Sequence, residues 1–251
     1  MDFTFSIPGL EVEEEVSTLS LDADLDLLDS SVGDWFSSVV FGVDITQREK
    51  FKDVDEYDLM LKFERARTSI DPNLQIAPVD LSFAGISGVL SYDTAAVIAN
   101  YYDVLPILDD NHWNKAWSVD EEIVTFFSKL VIDTEIFGKV LTGDIGIQHI
   151  NTAQSASGYS ISGTNSDTAP TLIQKSASYT DTLPSINLKL ELADGQYLRL
   201  GAGKYMARPR MDDMRASTAA GVSVDGIWSG WGGNPELEPW RATAYDVAYE
   251  Y

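Results

Sequence analysis

Between Ile186 and Gly203 the chain reads INLKLELADGQYLRLGAG, and apolar and polar residues alternate one for one on both sides of Ala193-Asp194-Gly195-Gln196. Ile186, Leu188, Leu190, Leu192, Leu198, Leu200 and Ala202 hold the even positions, with Asn187, Lys189, Glu191, Arg199, Gly201 and Gly203 between them. Side chains of a strand alternate between two faces, so a period of two around a tight turn defines a hairpin with one apolar face. Such a face has to be covered. Whether a second protein layer or lipid covers it decides what this chain can fold into.

The same alternation recurs elsewhere. STLSLDADLDLL sets Leu19, Leu21, Ala23, Leu25 and Leu27 against Ser20, Asp22, Asp24 and Asp26. WFSSVVFGVDITQR sets Trp35, Val39, Phe41, Val43 and Ile45 against Ser38, Gly42, Asp44, Thr46 and Arg48. A weaker run, EIVTFFSKLVID, aligns Val124, Phe126, Leu130 and Ile132, with Phe127 and Val131 blurring the other face. LTGDIGIQHI and ATAYDVAYEY complete a set of about seven strands.

The spacing between strands is more telling than the strands. DSSVGD, TEIFGK and ADGQ are short links, whereas the alternation lapses from about 49 to 115, 153 to 182 and 209 to 240. Long connections are uncommon in compact domains. Short links alternating with long ones are the rhythm of an all-β, antiparallel, up-and-down transmembrane barrel, with turns on one membrane side and long external loops on the other. On that reading Asp22, Asp24, Asp26, Asp44, Arg48, Asn187, Lys189, Glu191 and Arg199 face a wet lumen. Trp35, Tyr249 and Tyr251 fall at the short-turn side, where an interfacial aromatic belt belongs. The competing reading is a secreted, soluble β-sandwich that binds carbohydrate, with its leucine faces packed between two sheets.

Composition narrows the partners. Asp and Glu total 40 against 17 Lys and Arg, a net charge of -23, which makes a nucleic-acid partner electrostatically unfavourable. There is no cysteine, so disulfides and thiolate chemistry are excluded. Met1 is followed by no basic and apolar leader, and no stretch approaches the roughly 18 apolar residues of a membrane helix.

Four stretches resemble the barrel portion of TonB-dependent receptors, the outer-membrane importers of Gram-negative bacteria, and within them the subgroup linked to oligosaccharide uptake. They are Phe41–Glu49; Leu141–Ile147 followed by Thr152 and Ser157-Gly158-Tyr159; Leu183–Leu188 running to Ala207-Arg208-Pro209; and Gly233–Pro239 with Tyr245-Asp246 and Glu250-Tyr251. Asp44 departs from the arginine common there. The resemblance implies a cell outer-membrane receptor for energised uptake of a scarce nutrient, an oligosaccharide or a siderophore-like ligand. It implies as partners outer-membrane lipid, the small ligand, and a TonB-type energy-transducing protein acting through a TonB box and plug. A family barrel has about twenty-two strands, so residues 1–251 are expected to form an internal part of the barrel domain. The plug is then expected before Met1 and further strands after Tyr251, and this piece alone is not expected to insert as a closed barrel.

No cofactor and no enzymatic activity are expected. DADLD fails the calcium-loop template, since Leu27 and Gly33 stand where glycine and glutamate are needed. GAGK fails the phosphate-loop template, with Leu198 and Tyr205 at its required positions. His112 and His149 lie on separate segments, without metal-ligand spacing. Among forty acidic residues, carboxylate pairs of the kind used for glycoside hydrolysis arise by number alone. The candidate ligand contacts lie instead in the long connections: Asp109, Asp110, Trp113 and Trp117 in DDNHWNKAW, with Trp228 and Trp231 in GIWSGWGGN. Tryptophan beside carboxylates and amides is a surface for stacking and hydrogen-bonding sugar rings.

Overall fold

The alternating runs are strands of one antiparallel sheet, and they run well past the points where the alternation stops. The structure is a computed structural model that describes residues 5–62, 69–107, 110–162, 170–223 and 225–251. In chain order the elements begin with β1 (Phe5–Asp26) and β2 (Phe36–Leu61), then the hairpin β3 (Gln75–Leu81) and β4 (Ile86–Tyr92). Helix α1 (Thr94–Tyr101), β5 (Tyr102–Pro106) and the single turn α2 (Asp110–Trp113) lead to β6 (Trp117–Ile136), β7 (Lys139–Ser162), β8 (Thr171–Ala193) and β9 (Gln196–Ala207). A turn α3 (Met211–Met214), β10 (Thr218–Val222) and β11 (Trp228–Gly232) precede β12 (Trp240–Glu250).

The main sheet runs β1-β2-β6-β7-β8-β9-β12, each strand antiparallel to the next, with β1 and β12 as its edges. These are the seven strands read from alternation, in chain order. The register keeps the apolar parity in phase across them: Leu25 pairs with Val39, Val39 with Leu130, Leu130 with Ile145, Ile145 with Ile186, Ile186 with Ala202 and Ala202 with Tyr245. A slip of one residue at any junction would turn every later apolar residue to the other face.

Among the described residues no second sheet covers this face. Leu19 and Leu21 are 69% and 71% exposed, and Tyr245 and Val247 are 79% and 74% exposed. The soluble-sandwich expectation, with leucine rows buried between two sheets, is therefore not met. The row forms a band: Leu19–Leu27 on β1 and the turn after it, Pro184–Leu192 on β8, matched by Val124–Ile132 on β6. Each span is roughly the nine to eleven residues that a tilted strand needs to cross hydrocarbon. Beyond the band the same parity turns polar together: Ser17, Gln47, Glu122, Asn151 and Thr180 follow on successive strands.

The connections differ from their expected bounds for the same reason. The second long gap shrinks to residues 163–170, because β7 reaches Ser162 and β8 starts at Thr171. The first holds the β3–β4 hairpin, α1, and β5, which pairs back onto β2. Above the band the apolar row gives way to polar residues while the other face gains buried apolar ones such as Val119 and Trp117, so the regular alternation lapses although backbone pairing continues. The short links lie together at the opposite end, and there Trp35 and Phe137 are exposed and Tyr249 stacks on Tyr251 with ring centroids 6.1 Å apart.

Phe127, which blurred the third run, has a local explanation. It sits opposite Gly42, where an added Cβ would come within 2.7 Å of its ring and within 2.5 Å of the Leu21 carbonyl oxygen. The glycine makes room for an aromatic ring on the polar face, a known way of protecting a strand glycine.

Candidate functional site

The polar face is not open along its whole length. Near the loop end it carries an apolar cluster of Trp117 and Val119 from β6 and Ala156 from β7, capped by Met211, Met214 and Ala216 from the β9–β12 connector. Ile173 and Leu237 pack around it. Met214 is 1% exposed and Ser217 0%. The connector thus folds back onto the face expected to line a lumen. Beyond Gly158, where β6 has already ended, β10 takes over the free edge of β7 in parallel pairing, from Thr218 opposite Ser160 to Ala220 opposite Ser162.

Polar contacts hold the connector in place. Gln154 Nε2 donates to the carbonyl oxygens of Pro235 at 2.6 Å and Leu237 at 3.0 Å. Thr218 Oγ1 donates to Ser160 Oγ at 2.9 Å. Where β8 and β9 part above Ser185, Arg241 reaches across and donates from Nε and Nη2 to the Asp181 carboxylate, at 2.5 and 3.2 Å. Among the described residues, Gln154 Oε1, Glu121 Oε1 and Ser217 Oγ are buried without a hydrogen-bond partner. Unsatisfied buried polar atoms are costly, so the connector is bound less firmly than its apolar contacts alone would give.

Glu121, three positions above Val124 and so clear of the band, accepts from Arg48 Nη1 at 2.9 Å with its own side chain fully buried. Burial raises its pKa above the ordinary 4.5, and the neighbouring Arg48 and Arg208 offset that only in part. The folded protein then holds a proton that the unfolded chain has released. Stability therefore falls as pH rises from 4.5 through the raised folded value. Glu121→Gln keeps an acceptor for Arg48 and removes the titration. Unfolding midpoints in urea, followed between pH 4 and 7, are expected to lose this downward slope in the variant.

The ligand candidates divide into separate places. Trp117 and Trp231 line one cavity of about 390 Å³ with Val12, Lys50, Lys52, Asn114, Lys115, Asp212 and Arg215. Trp113 packs edge-on against Tyr159, centroids 5.1 Å apart, and Trp228 is an exposed residue of β11; neither lines the cavity. Asp110 opens α2, and Asp109 lies outside the described residues. Of the residues expected to face the lumen, the register puts all nine on the face opposite the apolar row. Asn187, Lys189 and Arg199 share a second cavity of about 410 Å³ with Asp144 and Asp246. There Asn187 Nδ2 donates to Asp144 Oδ1 at 3.2 Å, and Lys189 Nζ sits 4.1 Å from the Tyr197 ring centroid. Arg199 pairs with Glu250 at 2.7 Å.

Residues not singled out from the sequence carry much of this geometry: Lys50, Lys52, Asn114, Lys115 and Arg215 around one cavity, with Gln154 and Asp181 as anchors. One signal was available. Arg48, Lys50 and Lys52 occupy alternate positions, and β2 continues through all three. The nearby Asp212 carboxylate holds the Lys50 ammonium above its ordinary pKa, 3.1 Å away, with Glu14 adding to the effect from 3.4 Å. Among the described residues no group of His, Cys, Asp and Glu is arranged to hold a metal ion.

Residues 149–251 match the family model described as TonB dependent receptor-like, beta-barrel. Neither a comparison with curated proteins nor one with solved structures gives a match. The matched stretch runs from the upper half of β7 through β12 and includes the opening hairpin and the whole folded-back connector; β1, β2 and β6 extend the same meander in the same parity. Among the described residues no helix is long and apolar enough to cross a membrane, while the exposed apolar band suits strands that do. Over residues 149–251 the chain is therefore similar to the β-barrel of the TonB-dependent receptors, a family of outer-membrane receptors and transporters of Gram-negative bacteria.

Proposed function

We propose that residues 1–251 as a whole are wall and external connections of an outer-membrane receptor that takes up a scarce nutrient, an oligosaccharide or a siderophore-like ligand, at the expense of inner-membrane energy. The observation that carries this is the sheet's two-sidedness. One face presents an exposed apolar band of membrane height, and the other presents charge, amides and a folded-back connector. A water-soluble protein would hide such a band. On this reading the polar face lines the barrel, and the segments about 49–115, 153–182 and 209–240, strand ends above the band together with the links between them, form the outer vestibule. The tryptophan-bearing cavity lies where ligand enters. The energy-transducing partner is of the TonB type and acts through a plug.

The test uses cells making the whole gene product. The protein is expected in the outer-membrane fraction as a heat-modifiable band. Cells are then offered labelled neutral oligosaccharides, acidic oligosaccharides and ferric chelates. One class is expected to be taken up only when the protein is made, and a protonophore is expected to abolish that uptake. Recovery of the protein from the soluble fraction, or uptake indifferent to the protonophore, would refute the proposal.

A further inference from the structure

The cavity shared by Trp117 and Trp231 runs against the electrostatics of its own chain. The protein carries a net charge of -23, yet four of the side chains lining this cavity are cationic and one, Asp212, is acidic. Glu14 and Glu56, which do not line it, pair with two of these cations. Two of the cations are already matched: Lys50 with Asp212 and Glu14, and Lys115 with Glu56 at 2.5 Å. The other two are not. Among the described residues Lys52 makes no ion pair although it is half-buried, and Arg215 donates only to the Asp212 backbone carbonyl oxygen, at 2.5 Å. The Arg215 guanidinium lies over the Trp231 ring, 5.5 Å from its centroid. Asn114 is 2% exposed and lines the cavity.

Unmatched cations, a half-exposed aromatic face and a buried amide call for different parts of one ligand. An anionic group satisfies Lys52 and Arg215, whose planar fork suits a carboxylate. A ring with C–H faces covers Trp231, and neighbouring hydroxyls engage both ends of the Asn114 amide. The volume, about 390 Å³, is at the small end of ligand sites and suits one or two sugar units.

We infer that this cavity binds a carboxylated sugar unit, so that the receptor takes acidic rather than neutral oligosaccharides. The inference rests on the receptor reading above and deepens it to a substrate class. A carboxylate entering here meets a local positive field inside an otherwise repulsive acidic surface, which directs it to this point.

The test uses tri-galacturonate as probe, with its neutral galactose trimer and ferric citrate as comparisons, on outer membranes containing the whole gene product. Tri-galacturonate is expected to bind and to quench tryptophan fluorescence, with affinity falling as salt rises. The double variant Lys52→Gln with Arg215→Gln is expected to weaken it at least tenfold while the heat-modifiable band stays unchanged. Trp231→Ala is expected to remove the quenching. Equal binding of the neutral trimer, no binding of tri-galacturonate, or an affinity untouched by the double variant would each overturn the inference and leave the receptor reading intact. Ferric citrate competing as well as the trimer would overturn the sugar assignment. Recovery of a soluble protein would instead defeat the receptor reading, and probe binding can still be measured on that material.

Discussion

Ile145→Arg is expected to destabilise the membrane-embedded protein by about 2–4 kcal/mol, the cost of a guanidinium on the lipid face near the bilayer midplane. Ile145 is the natural place for this test. It lies within the apolar band on β7, a strand paired on both sides, and its cross-strand neighbours are Leu130 and Ile186. It is exposed, and no protein layer is available to shield a charge there. Gln148→Arg is the comparison. Gln148 is exposed on the opposite face of the same strand, between Phe127 and Leu183, and a charge there is expected to cost under about 1 kcal/mol. Both variants are made in the whole gene product, and the heat-modifiable folded fraction of outer membranes is titrated with urea. Equal tolerance at the two positions would mean that hydrocarbon does not face the apolar row.

Gly158→Val is expected to release the β9–β12 connector from the sheet. A Cβ at Gly158 would stand 2.6 Å from the Ser217 amide nitrogen and 3.0 Å from its Cα. Those neighbours are backbone, which cannot move aside by a change of rotamer. The nearest remedy is for the connector to withdraw, exposing Met214, Met211 and Ala216. Full burial of a methionine side chain is worth about 1.5–3 kcal/mol, and the unsatisfied atoms of Glu121, Gln154 and Ser217 already weigh against docking. Trypsin is then expected to cut after Arg210 and Arg215 in the variant much faster than in the parent. Ala153→Val, an exposed position on the other face of β7, is expected to leave the parental cleavage rate. The barrel band should survive in both, because the contact lies above the hydrocarbon. A connector equally protected in Gly158→Val would show that Gly158 and Ser217 do not pack as described.

What could be read from the amino-acid order was whatever repeats with the period of the backbone. The seven strands, their order, their parity and the end that carries the turns all follow from alternation. Each apolar residue had to share a face with its neighbours two positions away. The same logic assigned Asp22, Asp24, Asp26, Asp44 and Arg48 to one face of two adjacent strands. It ceased where the membrane ceases: from Glu49 in β2 and Gln154 in β7 upward the former apolar row turns polar and the other face mixes polar with buried apolar residues, so strands continued without a regular alternating signal. Lys50 and Lys52 were lost with them.

Tertiary structure alone decided what covers the polar face. Met211, Met214 and Ala216 form no run with a readable period, because an irregular connector packs by shape rather than by repeat. Their partners Trp117, Val119 and Ala156 become a core only when the connector folds back across β6 and β7. The same return brings Arg215 and Trp231 to Lys52 and Asn114, residues more than a hundred positions away in the chain. Local order sets the faces of a sheet, since each strand carries its own parity. The site arises from long-range closure, which depends on which side chains a connector can reach.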